Sequence, residues 1–490
     1  MNNIFDKLKN YSDSDYYAFH MPGHKRNLDL MDGTSPYRID ITEIDGFDDL
    51  HHAEGILRDA QERAARVYHA DETHFLVNGS TVGILSAILG TTEKGDSILV
   101  ARNCHKSVYH AIYLNELDPV YLYPKFDTEQ GLSTEIDAAD VQKALEEHPK
   151  IRAVMIVSPT YDGVVSDIEK IAEIVHAKGC PLIVDEAHGA HFGFDPYFPK
   201  SANIYGADLV INSLHKRLPA LTQTALLHVN GDMVKRRKVK QYLDMLQTSS
   251  PSYILMASID ACIGMLEETL ETHSDARSDY KYKNKNIFSE YANRIEALRK
   301  DLKRLKYLKI IQTDNTDRYD RSKFVISVKH APMSSHELYE ILLHRYHLQM
   351  EMLAGTYVLA MTTVGDTQEG LDRLRDALLE IDKEIDTRQG RPAAIETDLP
   401  LSGRQPALEK VWTIAEAVNR RDKIQKRSFE DSIGCISVEY AYLYPPGSPL
   451  IVPGERITKE AVEILQWYQE HDFSIEGLQS EDGIEVWIDG

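Results

Sequence analysis

The chain has 490 residues, 42% of them hydrophobic and 27% charged, and carries a formal net charge of −22 at pH 7. That length allows two to four units with a sizeable core, and the composition is ordinary for a globular protein in water. The acidic balance argues against general nucleic-acid binding and fits, without requiring, a protein that handles small cations. The four cysteines, Cys104, Cys180, Cys262 and Cys435, form no C-x-x-C pair, so neither a zinc knuckle nor a disulfide framework is expected. The first residues lack an apolar signal core, and no apolar run approaches the ~18–20 residues of a membrane span. The expectation is a cytoplasmic protein without a membrane partner.

Residues 1–50 read as a polar arm, rich in turn formers beyond one short helix. The arm clusters His20, His24, Lys25 and Arg26, then Asp40, Glu43 and Asp45. It is either a solvated surface or a segment crossing a subunit interface to line a site. Residues 54–69 read as an amphipathic helix with Leu57, Ala60, Ala64, Val67 and Tyr68 on one face. A short strand at 75–77 leads into Asn78, Gly79, Ser80 and Thr81 and an apolar helix to residue 89. Strand, glycine, hydroxyl pair and helix outline a phosphate cradle, because helix-start amides and hydroxyls converge on an anion. Ser and Thr are equally the usual N-caps. No Walker A loop occurs anywhere in the chain.

Strands and helices then alternate. Strands are expected at 97–101, 120–123, 153–157, 182–184 and 207–211. Helices are expected at 105–114 and 138–147, with another capped by Asp167 and closed by Gly179. This is the βαβ rhythm of a mainly parallel sheet with helices on both faces. Ligands in such sheets sit at the carboxyl ends of the strands. Thr81, His105, Ser158, Asp185 and Lys216 all follow expected strands, so one site can gather them.

Two of these residues suggest a chemistry. Lys216 ends the run Asn212-Ser213-Leu214-His215-Lys216, and Asp185 opens Asp185-Glu186-Ala187-His188. A lysine that forms a Schiff base and an aspartate that keeps a pyridinium nitrogen protonated are what pyridoxal phosphate (PLP) chemistry requires.

A further strand is expected at 221–229, with helices following to about residue 305. The basic run Lys235 to Lys238 reads as a solvated helix face, since no aromatic residues interleave it. A small α/β unit spans 305–385. It has a strand through Phe324, Ile326 and Val328, a helix from the capping box Ser334–Glu337 to residue 346, a strand at 358–364, and a helix marked by Leu371, Leu374, Leu378 and Ile381. A polar, proline-bearing linker is expected at 386–402. The C-terminal unit should hold a helix at 406–420, one strand alternating through Ile436, Val438, Tyr440, Tyr442 and Tyr444, a helix at 458–469, and a last strand through Ile484, Val486 and Ile488.

Together these motifs resemble a known family. Asn-Gly-Ser-Thr (78–81), Asn-Cys-His-Lys-Ser (103–107), Asp-Glu-Ala-His (185–188), Ser-Leu-His-Lys (213–216) with Thr222 and Gln223, His-Met-Pro-Gly-His-Lys (20–25), Tyr-Pro-Pro-Gly-Ser-Pro (444–449) and Pro-Gly-Glu (453–455) are similar to the Orn/Lys/Arg decarboxylases. The matches run in order from residue 20 to 455. The resemblance implies an α/β architecture: an aspartate-aminotransferase-like fold-type I PLP large domain with a mainly parallel sheet (51–304), a small α/β domain (305–385) and an α+β C-terminal domain (386–490), preceded by the arm (1–50). With no receiver-like wing ahead of the arm, the chain resembles the short, stand-alone arginine decarboxylase form.

The resemblance also implies roles. Lys216 would carry PLP, Asp185 would pair with its ring nitrogen, and His105 would stack on the ring. Gly79, Ser80, Thr81, Ser213 and His215 would bind or flank the phosphate, and His188 would lie near the phenolic oxygen. The arm around His24 and residues 40–49 would approach the pocket, in a homodimer or a higher even-numbered homo-oligomer. The implied reaction is decarboxylation of a small cationic amino acid, arginine first, then lysine or ornithine. A cationic side chain needs acidic or aromatic partners, and Glu43, Asp45, Glu439 and Tyr440 are candidates. An aminotransferase or aldolase on the same scaffold is the alternative, with Arg373 or Arg391 as a carboxylate clamp; a catalytically dead regulator is another. No metal site is expected, since His188 and His191 have no third ligand in view.

Overall fold

The computed structural model describes residues 13–20, 23–25, 27, 36–271, 286–312, 316–387, 405–420, 422–444 and 447–488. The expected N-terminal helix, Arg26, Arg391, Pro445, Pro446 and the linker beyond residue 387 lie outside them.

Seven strands form the central sheet: β1 (Glu72–Leu76), β2 (Ser97–Ala101), β3 (Asp118–Leu122), β4 (Ile151–Val157), β5 (Leu182–Asp185), β6 (Leu209–Asn212) and β7 (Ala225–Val229), in the order β1-β7-β6-β5-β4-β2-β3. The strands β2 to β6 pair in parallel. They are near-continuous apolar runs because helices cover both faces. Only β7 runs antiparallel, between β1 and β6.

That reversal is central to the site. The strand expected from residue 221 begins only at Ala225, because Thr224 closes a turn by donating its N–H and hydroxyl to the Leu221 carbonyl. The turn 221–224 therefore sits at the same edge as the carboxyl ends of the other strands, with Ala225 opposite Leu76 and Leu226 opposite Asn212.

A second, antiparallel sheet orders Lys309–Ile310, Lys323–Ser327, Tyr357–Met361 and Met352–Ala354. Helices Ser335–His344 and Gln368–Thr387 accompany it, and helix Ile287–Leu302 packs on the latter. The arm is not wholly irregular. Tyr17–Phe19 pairs in parallel with Leu348–Met350, and the buried Lys25 donates its Nζ to the carbonyls of His20 (2.8 Å) and Met361 (2.7 Å).

The C-terminal unit departs most from expectation. The single strand expected over 436–444 is two, in different sheets: Ile436–Ser437 pairs with Ile484–Trp487, and Ala441–Tyr444 pairs with Ser448–Ile451 and Ser474–Glu476. The break has a local cause. Ser437 Oγ donates to the Glu439 carbonyl (2.7 Å) and accepts the Glu439 N–H (3.2 Å), folding the chain back between the two halves. The helix expected at 406–420 is confined to Ile414–Asn419, where Thr413 and Glu416 form a reciprocal capping box that fixes its start.

Candidate active site

One cavity of about 500 Å³ opens at the carboxyl edge of the central sheet. All three sheeted regions contribute to it: the central sheet's edge loops, residues 352–357 of the second sheet, and Leu443, Ser448, Leu450, Ile464 and Tyr468 of the C-terminal unit.

On one side, β1 ends and helix Gly79–Thr91 begins. Gly79 has φ +74, which an L side chain rarely adopts, and this swings the chain into the helix. Asn78 does not cap the helix with its side chain; its Oδ1 instead accepts the Thr248 N–H (3.1 Å). The helix-start amides thus face the cavity with Ser80 and Thr81, and Thr222, Gln223 and His215 line it as well. His215 is anchored by its Nδ1–H, donated to the Thr224 carbonyl at 3.0 Å. The buried Ser213 hydroxyl has no hydrogen-bond partner among the described residues.

Asp185 ends β5 and is 4% exposed. Its Oδ1 accepts the Ala187 N–H at 3.0 Å. Burial pushes its pKa up, opposed by the positive charge of Lys216. Burial in turn pulls Lys216 down, opposed by Asp185 and Glu351. His105 caps helix Lys106–Leu114. Its Nδ1 accepts the Ser107 N–H (3.3 Å) and touches Ser107 Oγ (2.8 Å), so the single proton of the neutral ring lies on Nε2. Burial, then Lys216, holds its pKa at about 3.

His188 stands between two lysines. Its Nε2 is 3.1 Å from Lys216 Nζ, and its Nδ1 is 3.0 Å from Nζ of the wholly buried Lys323. Tyr161 packs across the imidazole, with ring centroids 4.5 Å apart.

Of the residues singled out from sequence, Gly79, Ser80, Thr81, His105, Asp185, His188, His215 and Lys216 line this one cavity, with Ser213 buried beside His215. His24, Glu43, Asp45, Glu439 and Tyr440 do not line it. Glu439 accepts the N–H groups of Gln479 (2.9 Å) and Glu485 (2.7 Å), so its carboxylate ties C-terminal strands together. Tyr440 stacks on Tyr442 at 5.2 Å. The arm reaches the site through Gly23 instead. Gly23 donates its N–H to the His215 carbonyl (2.6 Å), and a Cβ there would meet Leu218 N at 2.7 Å, so the arm braces the turn carrying Lys216. His191 turns away from His188 toward Asp320 (3.1 Å). Arg373 donates to the carbonyls of Tyr346 and Asp15 outside the cavity, and no arginine lines the cavity among the described residues.

Sequence reading missed Tyr161, Asp162, Lys323 and the C-terminal contributors. Lys323 carried the one usable signal, a charged residue opening an otherwise apolar strand.

Comparison with known proteins places the chain. The model of the Orn/Lys/Arg decarboxylase major domain matches residues 2–333, and that of the family's C-terminal domain matches residues 404–486. The chain belongs to the Orn/Lys/Arg decarboxylases. It is 35% identical over 470 residues to the YaaO protein of Bacillus subtilis (strain 168), covering 94% of this chain and 93% of that one. It is 31% identical to the arginine decarboxylase of the same organism, covering 94% and 92%. In fold it resembles the Francisella novicida lysine decarboxylase LdcF, with a TM-score of 0.78 at 20% identity, over 98% of this chain and 80% of that one. The fold is that of the fold-type I PLP enzymes, and this family member is a PLP-dependent decarboxylase of a basic amino acid.

The residues present fit the cofactor. A helix start with a left-handed glycine and two hydroxyls lining the cavity suits a phosphate. The buried Asp185 suits a protonated ring nitrogen, and Lys216 suits an aldehyde.

Proposed function

We propose that the chain decarboxylates arginine to agmatine, with Lys216 as the covalent anchor of PLP and Asp185 as the partner of its ring nitrogen. The convergence of Lys216, Asp185, His105 and the Gly79–Thr81 helix start on one cavity carries this reading. Arginine is favoured because the relatives aligned over nine-tenths of the chain include several named arginine decarboxylase. When bound, PLP supplies an electron sink for the pair left behind by departing CO₂.

The chain's own residues do the rest. Asp185 would retain a proton on the ring nitrogen through a charge-assisted hydrogen bond. Helix-start amides, Ser80, Thr81, Ser213 and His215 would hold or flank the phosphate. His105 lines the cavity with Nδ1 held by Ser107, so its Nε2–H would be the group that orients a carboxylate or hands over a proton. The absence of an arginine clamp among the described lining residues favours loss of the carboxylate over its retention, as in an aminotransferase. Among the described residues, Asp185 and Asp162 are the carboxylates lining the cavity. With Asp185 engaged by the cofactor, Asp162 is left for the substrate's side-chain cation. Its Oδ1 already accepts the Tyr357 hydroxyl at 2.5 Å, which fixes its orientation.

The reading extends to a cytoplasmic homodimer serving polyamine synthesis. The free thiols Cys104, Cys180, Cys262 and Cys435 suit a reducing compartment. Exposed apolar Ile39, Ile44, Phe47 and Ile56 suit a subunit interface, and His51 in the same segment donates to the Thr248 carbonyl beside Asn78. Amine release from arginine, lysine and ornithine, compared by kcat/KM on the PLP-loaded protein, tests the substrate. A preference for lysine or ornithine contradicts the assignment.

A further inference from the structure

The two amines that flank His188 impose a constraint of valence. A neutral imidazole has one N–H and one lone pair, whereas a protonated lysine has only donors. Lys216 Nζ lies 3.1 Å from Nε2 and Lys323 Nζ lies 3.0 Å from Nδ1. Both contacts are hydrogen bonds only if one amine is neutral and accepts the ring's proton. Lys323 also donates to the Tyr161 carbonyl at 2.9 Å, so its orientation is fixed by the backbone.

We propose that Lys323 is a positioning residue for Lys216: by donating to Nδ1 of His188 it fixes the ring proton on Nε2, which makes the Lys216 amine the acceptor and holds it unprotonated.

The surroundings support this arrangement. Lys323 is wholly buried and opens strand Lys323–Ser327, so it reaches the site from the second sheet. Asp162 and Tyr161 face it from the loop after β4, Arg217 from the turn that carries Lys216, and Asp320 and Glu351 from the second sheet's loops. Asp320 is largely committed to His191 (3.1 Å) and Arg217 (3.4 Å). Burial, then Lys216 and Lys323, keeps His188 far below its ordinary pKa, so the ring is neutral. Burial, then Arg217, lowers Lys323 to about 7, opposed by Asp320, Glu351 and Asp162, whose carboxylates favour the protonated, donating form. Burial lowers Lys216 while the facing Asp185 and Glu351 favour its protonated form, and a ring proton on Nε2 adds to burial in opposing it.

This inference rests on the reading of Lys216 as the PLP-bearing residue and says how that residue is kept reactive. The amine adds to the cofactor's aldehyde, a carbon–nitrogen double bond forms, and the aldehyde oxygen leaves as water with the two amine protons. An ammonium has no lone pair for that step.

The test is the pH dependence of PLP capture by the apoprotein, followed by borohydride trapping and mass spectrometry at Lys216. Capture by the natural chain should have its midpoint well below that of a free lysine. Lys323→Met should raise the midpoint by about one unit or more, making capture at neutral pH about tenfold slower, whereas Lys323→Arg should retain most of the effect. In a His188→Phe background, Lys323→Met should change little further, because the coupling runs through the ring. Equal shifts with and without His188, or none, overturn the proposal. Should Lys323→Met not fold, ¹⁵N-histidine spectra of the natural apoprotein decide the matter, with His188 assigned by its loss in His188→Gln. A proton on Nε2 supports the proposal and one on Nδ1 overturns it. Capture persisting in Lys216→Ala refutes the anchor itself, whereas capture lost there but unchanged by Lys323 substitutions refutes only the coupling.

Discussion

Arg102, in the turn after β2, and Glu455 of the C-terminal unit form a salt bridge at 2.9 Å with neither side chain exposed. Arg102 also donates to the Leu450 carbonyl (3.2 Å) and to the Tyr109 hydroxyl (3.1 Å), while Glu455 Oε2 accepts the Val452 N–H (2.9 Å). Leu450 lines the cavity, so this pair sets one wall of the site through the backbone.

Breaking the pair from one side leaves a buried charge without its partner. Glu455→Gln or Arg102→Met should each cost about 3–5 kcal/mol, whereas removing both with Arg102→Met/Glu455→Met should cost less than the sum. Denaturant midpoints of the four proteins measure this. Additive losses would show that the two groups act independently.

On the proposed reading, Asp185→Asn removes the charge that would retain the ring-nitrogen proton. Turnover should fall about 10- to 100-fold while PLP remains bound, because a hydrogen bond between charged groups contributes about 1.5–3 kcal/mol. Steady-state kcat on the PLP-saturated variant checks this, and near-normal turnover removes Asp185 from its role.

Asp162→Asn should raise KM for the basic amino acid about 10- to 100-fold with a smaller effect on kcat, since the interaction exists before and after bond breaking. Burial raises the pKa of Asp162, and an incoming cation favours its ionised form. KM of the natural chain should therefore climb as the pH falls, and this dependence should flatten in the variant. An unchanged KM would place the side-chain cation elsewhere.

Much of this site was legible in the chain because strand ends and the residues after them are local features. Asp185, Lys216, His105 and Gly79–Thr81 each follow an apolar run, and the parallel rhythm brings such ends to one edge. Tyr161, Asp162 and Lys323 were not legible, because their role depends on the second sheet folding back over the first. Alternation from Ile436 to Tyr444 suggested one strand, yet Ser437 folds the chain back on Glu439, and the Glu439 carboxylate then binds N–H groups up to 46 residues away. The antiparallel sense of β7 was equally hidden, since apolar strands read alike in either direction.

Stability should fall on acidification through buried histidines. His228, wholly buried between Thr73 Oγ1 (2.8 Å) and Asn212 Oδ1 (3.0 Å), is held at about 3 by burial. Its folded pKa lies below its unfolded value of about 6.5, so the unfolded chain takes up a proton first. Stability is intact above about 6.5 and declines below it, by about 2 kcal/mol at pH 5 from this residue. His228→Gln should lessen the difference between unfolding midpoints at pH 7 and pH 5. An unchanged difference would mean that another group dominates.

The central claim is that Lys216 anchors PLP in a cavity that removes the carboxylate of a basic amino acid. Carboxyl-labelled arginine supplied to the PLP-loaded protein should release labelled CO₂ and leave agmatine, and Lys216→Ala should abolish both the release and the visible absorbance of bound PLP. Release undiminished in Lys216→Ala, or bound PLP with no CO₂ from arginine, lysine or ornithine, would contradict it.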